Sequence, residues 1–533
     1  MSNSEVIQVS FPSQARRTLT TFPLISSLTW TDLLLAGLVG VGALSLYIRT
    51  LAPSLLWGDS AEFQTLSYTL GMTHPSGYMT HIMFGKLFTY FPAGNIAYRV
   101  NLMSAFFGAL AVAQVYLIVR LSGGIPMAGV SASMMLGLIP LFWRNALLAE
   151  SYAPAAGMIT TVWLLFLYWR NTGKWQYLFL AGLAGGLSMG IHSTVVMTAV
   201  SVLAVMLLTS RRRPEWSGAA AGALLGLLIT FLFFLFLDYR NPPSSIYNTV
   251  FFPIYSAAGA YTSDFDTPLK RFFAIFPAGH FWSYYFSAGA AETERRLAEY
   301  VSLHPIWALV MGLIGAFAWF KYNWRDALYP MIAFLIIWIF AVTVSFSIYQ
   351  EFYTPVAVFV FVWYGIGASK IFEAVSQVLS QRAIAVKGAQ LMMSAILIAL
   401  PLWQSRADLI SGIQFGYTTF VRRDHLYPIF APDKAIRDAL KIVDNVEEDA
   451  IVFTDWDKLY SYVYTAHIEQ GKTGIAFHLA LLGDDIRLSE STLAYINDHI
   501  DKRPVYFAVP LPELTQYFQV EQINETLVRV YRK

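Results

Sequence analysis

Residues 31–49 read TDLLLAGLVGVGALSLYIR, and residues 57–63, a few positions further on, read WGDSAEF. The first stretch is an apolar run of the length a helix needs to cross a hydrocarbon core about 30 Å thick, roughly 20 residues at about 1.5 Å each. The second is polar and places two carboxylates, Asp59 and Glu62, directly after it. A membrane helix that delivers the chain straight to ionisable groups decides the fold class and also marks where chemistry is to be sought.

Working outward, further apolar runs of spanning length fall near 98–119, 126–143, 152–169, 175–191, 193–209, 218–237, 304–320, 327–348, 353–369 and 388–404, giving about eleven spans in all. Composition agrees: 56% of the 533 residues are hydrophobic and 13% charged, against about 25% charged in a soluble domain. Basic residues are scattered at span ends and form no stripe, which speaks against nucleic acid as a partner. With no cysteine there is no disulfide, thiol nucleophile or Cys-ligated metal.

Orientation follows from Lys and Arg beside the spans. One set of alternate segments holds Arg16 and Arg17, Arg120, Arg170 and Lys174, Arg211 to Arg213, Lys321 and Arg325, and Lys370, Arg382 and Lys387. The opposite short loops hold only Arg49, Lys86, Arg99 and Arg144. The expectation is a multi-pass protein of the plasma (inner) membrane. Residues 1–30 form a cytoplasmic segment and the first span is an uncleaved anchor. Residues 31–404 form the transmembrane domain, with outer loops 50–97 and 238–303. Residues 405–533 form a small extracytoplasmic α/β domain. In that last region Ala450–Thr454 and Pro504–Val509 read as buried strands, Pro432–Val443 and Ser489–Ile500 as helices, and Gln519–Tyr531 as an edge hairpin.

The first outer loop gathers Asp59, Glu62, His74 and His81 within 25 residues. Asp59 and Glu62 also have the spacing of an N-cap and its N3 partner, opening a helix Ser60–Leu70, and His74 before Pro75 has the form of a turn. Residues 76–91 are apolar but too short to span, as suits a helix lying in the interface beside a lipid substrate. Arg144, Glu150 and Tyr152 belong to a second outer turn, His192 to a third and Glu351 to a fourth, so the topology brings them to one membrane face. Arginines in loop 238–303, Arg240 and Arg271, are further candidates for holding a phosphate.

Trp57-Gly58-Asp59-Ser60-Ala61-Glu62-Phe63 followed by His74-Pro75-Ser76-Gly77 resembles the W-D-x-G-E-F … G-H-P-P-G pattern of the domain-of-unknown-function 2723 family, which is similar to protein O-mannosyltransferases of the GT-C superfamily. Asn101 to Ala105 resembles that family's N-L-M-S-A, Glu150-Ser151-Tyr152 its E-V-Y, and Gly190-Ile191-His192 its G-V-H. The likeness covers about residues 30–200. The glycine stands before Asp59 here, where the family often has D-x-G-E, and Leu148 stands where the family has a glutamate.

The resemblance implies a GT-C-like fold and an inverting transfer of a sugar, mannose, from a polyprenyl-phosphate donor in the outer leaflet. The acceptor would be a hydroxyl outside the membrane, Ser or Thr of an exported protein. A sugar phosphate carries a good leaving group, so one base and a cation should suffice. On that scheme Asp59 and Glu62 are catalytic. His74, Arg144, His192 and Arg99 face the donor phosphate. Trp57, His81, Glu150, Tyr152 and Glu351 shape the acceptor pocket. Asp59, Glu62, His74 and His81 could also ligate a divalent cation, but a monophosphate donor has less need of one and the loop has no Asp-x-Asp pair, so no obligatory cofactor is expected. Membrane lipids and a glycan or protein acceptor complete the expected partners. Three alternatives stand beside this reading: a transferase acting on a glycolipid or envelope polysaccharide, a non-catalytic membrane scaffold for the external domain, and a transporter or flippase, which would place ionisable groups near the midplane and show repeats.

Overall fold

Apolar runs that cannot hydrogen-bond to lipid must satisfy their backbone internally, and nearly every expected run is helical. The computed structural model describes residues 28–210, 212–251, 265–276, 279–346, 349–417, 432–480, 488–509 and 511–533, with backbone only for 279–281. Arg16, Arg17 and Arg211 lie outside the described residues.

The helices are α1 (Trp30–Thr50), α2 (Gly58–Thr69), α3 (Met79–Thr89), α4 (Ile96–Leu121), α5 (Pro126–Leu138), α6 (Pro140–Asn145), α7 (Tyr152–Thr172), α8 (Trp175–Ser188), α9 (Ser193–Thr209), α10 (Arg213–Arg240), α11 (Pro268–Ile275), α12 (Ala290–Ser302), α13 (Ile306–Thr343), α14 (Tyr353–Val378), α15 (Ala383–Gln404) and α16 (Arg406–Phe415). Among the described residues seven helices are long and apolar enough to cross a membrane, and α5 and α9 are shorter apolar helices. Two departures from the expected runs have local causes. The run 126–143 is broken between α5 and α6 because Pro140 has no N–H to continue the first helix. The runs 304–320 and 327–348 join in α13 across a kink at Asn323 (φ −149°, ψ 64°), whose side chain turns to Asp326.

Helices α4, α7 and α14 are buried along most of their length, while α1, α10 and α15 expose theirs. Close approach of α8 to α10 depends on glycine. A Cβ on Gly222 would stand 1.9 Å from the Phe179 carbonyl, and one on Gly226 2.5 Å from that of Leu183. Small residues that let backbones touch are what holds helices together where the surrounding solvent is itself apolar. At one end of the bundle Asp32 of α1 pairs with Arg120 of α4 (2.6 Å), and Arg170 of α7 pairs with Asp326. The opposite end carries α2, α3 and the C-terminal sheet.

That sheet is preceded by α17 (Lys434–Val443) and built from β1 (Ile451–Thr454), β2 (Ala476–Leu479), β3 (Val505–Phe507), β4 (Phe518–Gln522) and β5 (Val528–Arg532), in the order β2-β1-β3-β5-β4. Strands β2 and β3 run parallel to β1, which lies between them, and β4–β5 is the expected antiparallel edge hairpin. Helix α18 (Trp456–Val463) follows β1, α19 (Glu490–His499) precedes β3 and the short α20 (Leu514–Tyr517) leads into β4. Helix α16 packs on α1, where Arg49 donates to the Ile413 carbonyl at 2.9 Å.

Candidate active site

The site is built on the strap between α1 and α2. Gln64 accepts the Leu56 N–H (3.0 Å) and donates to Asn101 Oδ1 (2.8 Å), and Asn101 in turn donates to the Ala52 carbonyl (2.9 Å). Two buried amides thus fasten strap, α2 and α4 together, and Gly58 makes the turn into α2 at φ +58°, a left-handed conformation that disfavours side chains.

Helix α2 starts two residues earlier than expected, so Asp59 lies inside its first turn and is not an N-cap; Trp57 occupies that position without a side-chain cap. The reciprocal capping expected between Asp59 and Glu62 is therefore not formed. Asp59 is partly exposed, in the part of the helix that favours an anion, and its Oδ1 accepts the indole Nε1–H of Trp456 at 2.8 Å. Glu62, one turn along, is fully buried and turns to the next loop. Its Oε1 accepts the His74 backbone N–H at 2.8 Å, and its Oε2 contacts His74 Nδ1 at 2.5 Å. Gly77 closes this loop at φ +88°, where a Cβ would stand 2.9 Å from Ile275 of α11.

Burial by itself would discharge His74, but Glu62, Asp59 and Glu150 around it outweigh burial and push its pKa up to about 9. Burial also pushes Glu62 up, against the pull of the imidazolium. Both shifts act to keep the proton between the two groups into alkaline pH. Glu150, in the turn before α7, accepts from Ser60 Oγ at 2.7 Å, while its backbone carbonyl accepts from Ser104 (3.1 Å). Burial, reinforced by Asp59, pushes its carboxyl up to about 8.

An aromatic wall closes the other side. His192 caps α9, its Nδ1 accepting the Thr194 N–H at 3.2 Å, which fixes the Nε2–H tautomer; burial, with His74 nearby, lowers its pKa to about 3. Its ring meets Tyr152 at 5.0 Å, Phe352 at 5.6 Å and Tyr78 at 6.3 Å. His81 sits behind this wall, 4.5 Å from Phe63, buried and neutral, with neither ring nitrogen hydrogen-bonded among the described residues. Helix α3 turns Met79, His81 and Ile82 inward and leaves Leu87 exposed.

The structure therefore gathers Asp59, Glu62, His74, Glu150, Tyr152 and His192, with His81 directly behind. Arg144 and Glu351 pair with each other at 3.2 Å, both largely buried, so that this arginine's charge is already met by a carboxylate. Arg99 is not brought to the site. Its guanidinium donates to the carbonyls of Thr89, Ala93 and Gly94, groups left over where α3 ends. Arg271 forms a two-pronged pair with Asp238 at 2.7 Å. Trp57 faces the sheet domain, with Lys434 Nζ 5.0 Å above its ring. Among the described residues no three His, Asp or Glu side chains converge as cation ligands do.

Residues 59–216 match the family model for the N-terminal domain of protein O-mannosyl-transferase TMEM260. The mouse protein O-mannosyl-transferase TMEM260 is 37% identical over 128 residues, 23% of this chain and 18% of that protein. The chain resembles the protein O-mannosyl-transferases and carries a GT-C fold. The match spans under a fifth of the mouse protein's length, and it is the family model, over residues 59–216, that covers Asp59, His74, Glu150 and His192. ArnT from Cupriavidus metallidurans bound to undecaprenyl phosphate superposes with a TM-score of 0.56 at 12% identity, covering 93% of this chain and 97% of that one. The archaeal oligosaccharyltransferase AglB from Archaeoglobus fulgidus, in complex with an inhibitory peptide and a dolichol-phosphate, gives 0.55 at 13% identity, covering 92% and 72%. These likenesses extend the shared fold into the C-terminal sheet region of the O-mannosyltransferase-like chain.

Sequence reasoning missed Trp456, Tyr78, Phe63 and Ser60. A signal existed for the first: Asp455 after a strand is an N-cap in form, and it does cap α18 by accepting the Lys458 N–H.

Proposed function

We propose that this chain is a membrane glycosyltransferase that moves mannose from a polyprenyl-phosphate carrier to a Ser or Thr hydroxyl of an exported protein, with inversion. The observation that carries the reading is the division of labour between the two carboxylates. Glu62 has both oxygens engaged by His74, whereas Asp59 has one oxygen held by Trp456 and stays partly exposed. Asp59 Oδ2 is the base. It takes the proton of the acceptor hydroxyl as that oxygen bonds to the anomeric carbon and the bond from that carbon to the phosphate oxygen breaks. The electron pair leaves on the phosphate, and the His74 imidazolium, kept charged by the carboxylates around it, offsets the added negative charge. The Nε2–H of His192 is a second, neutral donor for the phosphate. A single displacement inverts the anomeric centre, as one carboxylate without a covalent intermediate requires.

A lipid donor is supported by the placement of the cluster at the end of apolar helices, beside α3 with its outward Leu87, and by the undecaprenyl phosphate and dolichol-phosphate bound to proteins of like fold. In the proposed topology this end of the bundle, with the sheet region, lies outside the cytoplasm, a reading supported by the bias of Lys and Arg. The reading is tested with Asp59→Asn in detergent-purified protein. Transfer should vanish while binding of the lipid donor persists. Wild-type transfer by this variant removes the base assignment, and label appearing only on glycolipid or polysaccharide replaces the protein acceptor.

A further inference from the structure

We propose that Trp456, supplied by the C-terminal sheet region, is a positioning residue for Asp59, so that the transfer site is complete only with that region docked on the outer loops. This inference rests on Asp59 being the base. The indole Nε1–H holds Oδ1 at 2.8 Å and leaves Oδ2 as the oxygen that meets the acceptor. Asp59 needs such a partner, because it stands in the first turn of a short helix entered through the left-handed Gly58, and no other hydrogen bond to its carboxylate is seen among the described residues.

Trp456 is itself firmly placed. It opens α18 immediately after strand β1, which is paired on both sides, under the Asp455 cap. Its ring meets His74 edge-on at 5.7 Å and Tyr460 at 5.8 Å. The surface carrying it is pinned to the membrane region at three further hydrogen bonds: Thr65 Oγ1 to the Tyr460 carbonyl, the Ala97 N–H to Tyr464 OH, and Thr249 Oγ1 with Tyr460 OH, each at 3.2 Å. One side chain thereby touches both the base and the cation of the site, and reaches them from a part of the chain about four hundred residues distant from Asp59 in sequence.

The test separates the N–H from the ring. Trp456→Phe keeps an aromatic ring against His74 and Tyr460 but donates nothing, and should lower kcat by about ten- to a hundred-fold, the worth of a hydrogen bond to a charged group, with little change in KM for the lipid donor. The charged or titratable groups around Asp59 are Glu62 on its own helix, His74 and Tyr78 in the next loop, Glu150 before α7, and Asp457 and Tyr460 of α18. All are retained in the variant. Trp456→His, which returns a ring N–H, should recover part of the loss. A Phe variant with wild-type kcat overturns the inference, as does a Phe variant whose loss lies in KM for the lipid donor, or Phe and His variants of equal activity. If Asp59→Asn is dead while the Phe variant is normal, only this inference falls; if Asp59→Asn is active, the base assignment falls first.

Discussion

Replacing Glu62 by Gln removes the buried anion nearest His74 without emptying its place. The amide oxygen can still accept the His74 backbone N–H, and the amide NH2 can donate to Nδ1 of a neutral imidazole. The substitution therefore preserves the packing and reverses the preference for charge. In the wild-type protein the surrounding carboxylates hold His74 at about 9; in the variant the ring moves back toward the ordinary histidine value of 6.5. At pH 8 the protonated fraction then falls from about nine-tenths to about three-hundredths, roughly a 30-fold loss of the imidazolium, whereas at pH 6 the loss is only about 1.3-fold. The sign is fixed by the direction of the shift. The raised histidine stabilises the fold fully below about 6.5, and that contribution disappears as pH rises through about 9. Rates of transfer from a polyprenyl-phosphate sugar, measured from pH 6 to pH 9.5 on wild-type and Glu62→Gln protein, should show an alkaline limb near 9 that moves down by about two units in the variant. A loss of equal size at every pH would refute a charged His74 as the group that meets the phosphate.

Arg144→Ala removes the guanidinium paired with the largely buried Glu351 and should cost about 3–5 kcal/mol, seen as a lower midpoint of thermal unfolding in detergent; Arg144→Gln with Glu351→Gln should recover much of it. Gly222→Ala puts a methyl group onto the Phe179 carbonyl and should reduce the yield of folded protein by prising α8 from α10, while Gly185→Ala, whose Cβ meets nothing within 4 Å, should be neutral. Arg99→Gln, which acts on the turn 89–94 and not on the donor, should reduce stability and leave KM for the lipid donor unchanged.

Much of this was legible because lipid imposes a simple rule. A run such as 98–119 or 353–369 has to be helical, and the ends of such runs have to converge on two faces, so Glu150, Tyr152 and His192 could be grouped with Asp59 before any geometry was known. Where two explanations shared one spacing, sequence could not choose. Asp59 and Glu62 are three apart in a capping box and also three apart one helical turn along a site, and only the start of α2 at Gly58 separates the cases. Basic residues were the least legible. Nothing local distinguishes Arg99, consumed by three carbonyls, or Arg144, matched by Glu351 from a distant turn, from a cation awaiting phosphate. The Asp455 cap marks where the helix of Trp456 begins, but its contact with Asp59 lay beyond reach for the same reason, since it is made by tertiary docking across 397 positions of sequence.

The proposed transfer is a single displacement at a lipid-linked sugar by the acceptor hydroxyl, with Asp59 as its base. Purified wild-type protein should be given polyprenyl-phosphate mannose labelled in the sugar, with Ser- or Thr-containing peptides, and the anomeric configuration of the product determined. The account predicts mannose on the hydroxyl with configuration opposite to the donor's, and none with Asp59→Asn. Retention of configuration, or undiminished transfer by the Asn variant, would contradict it.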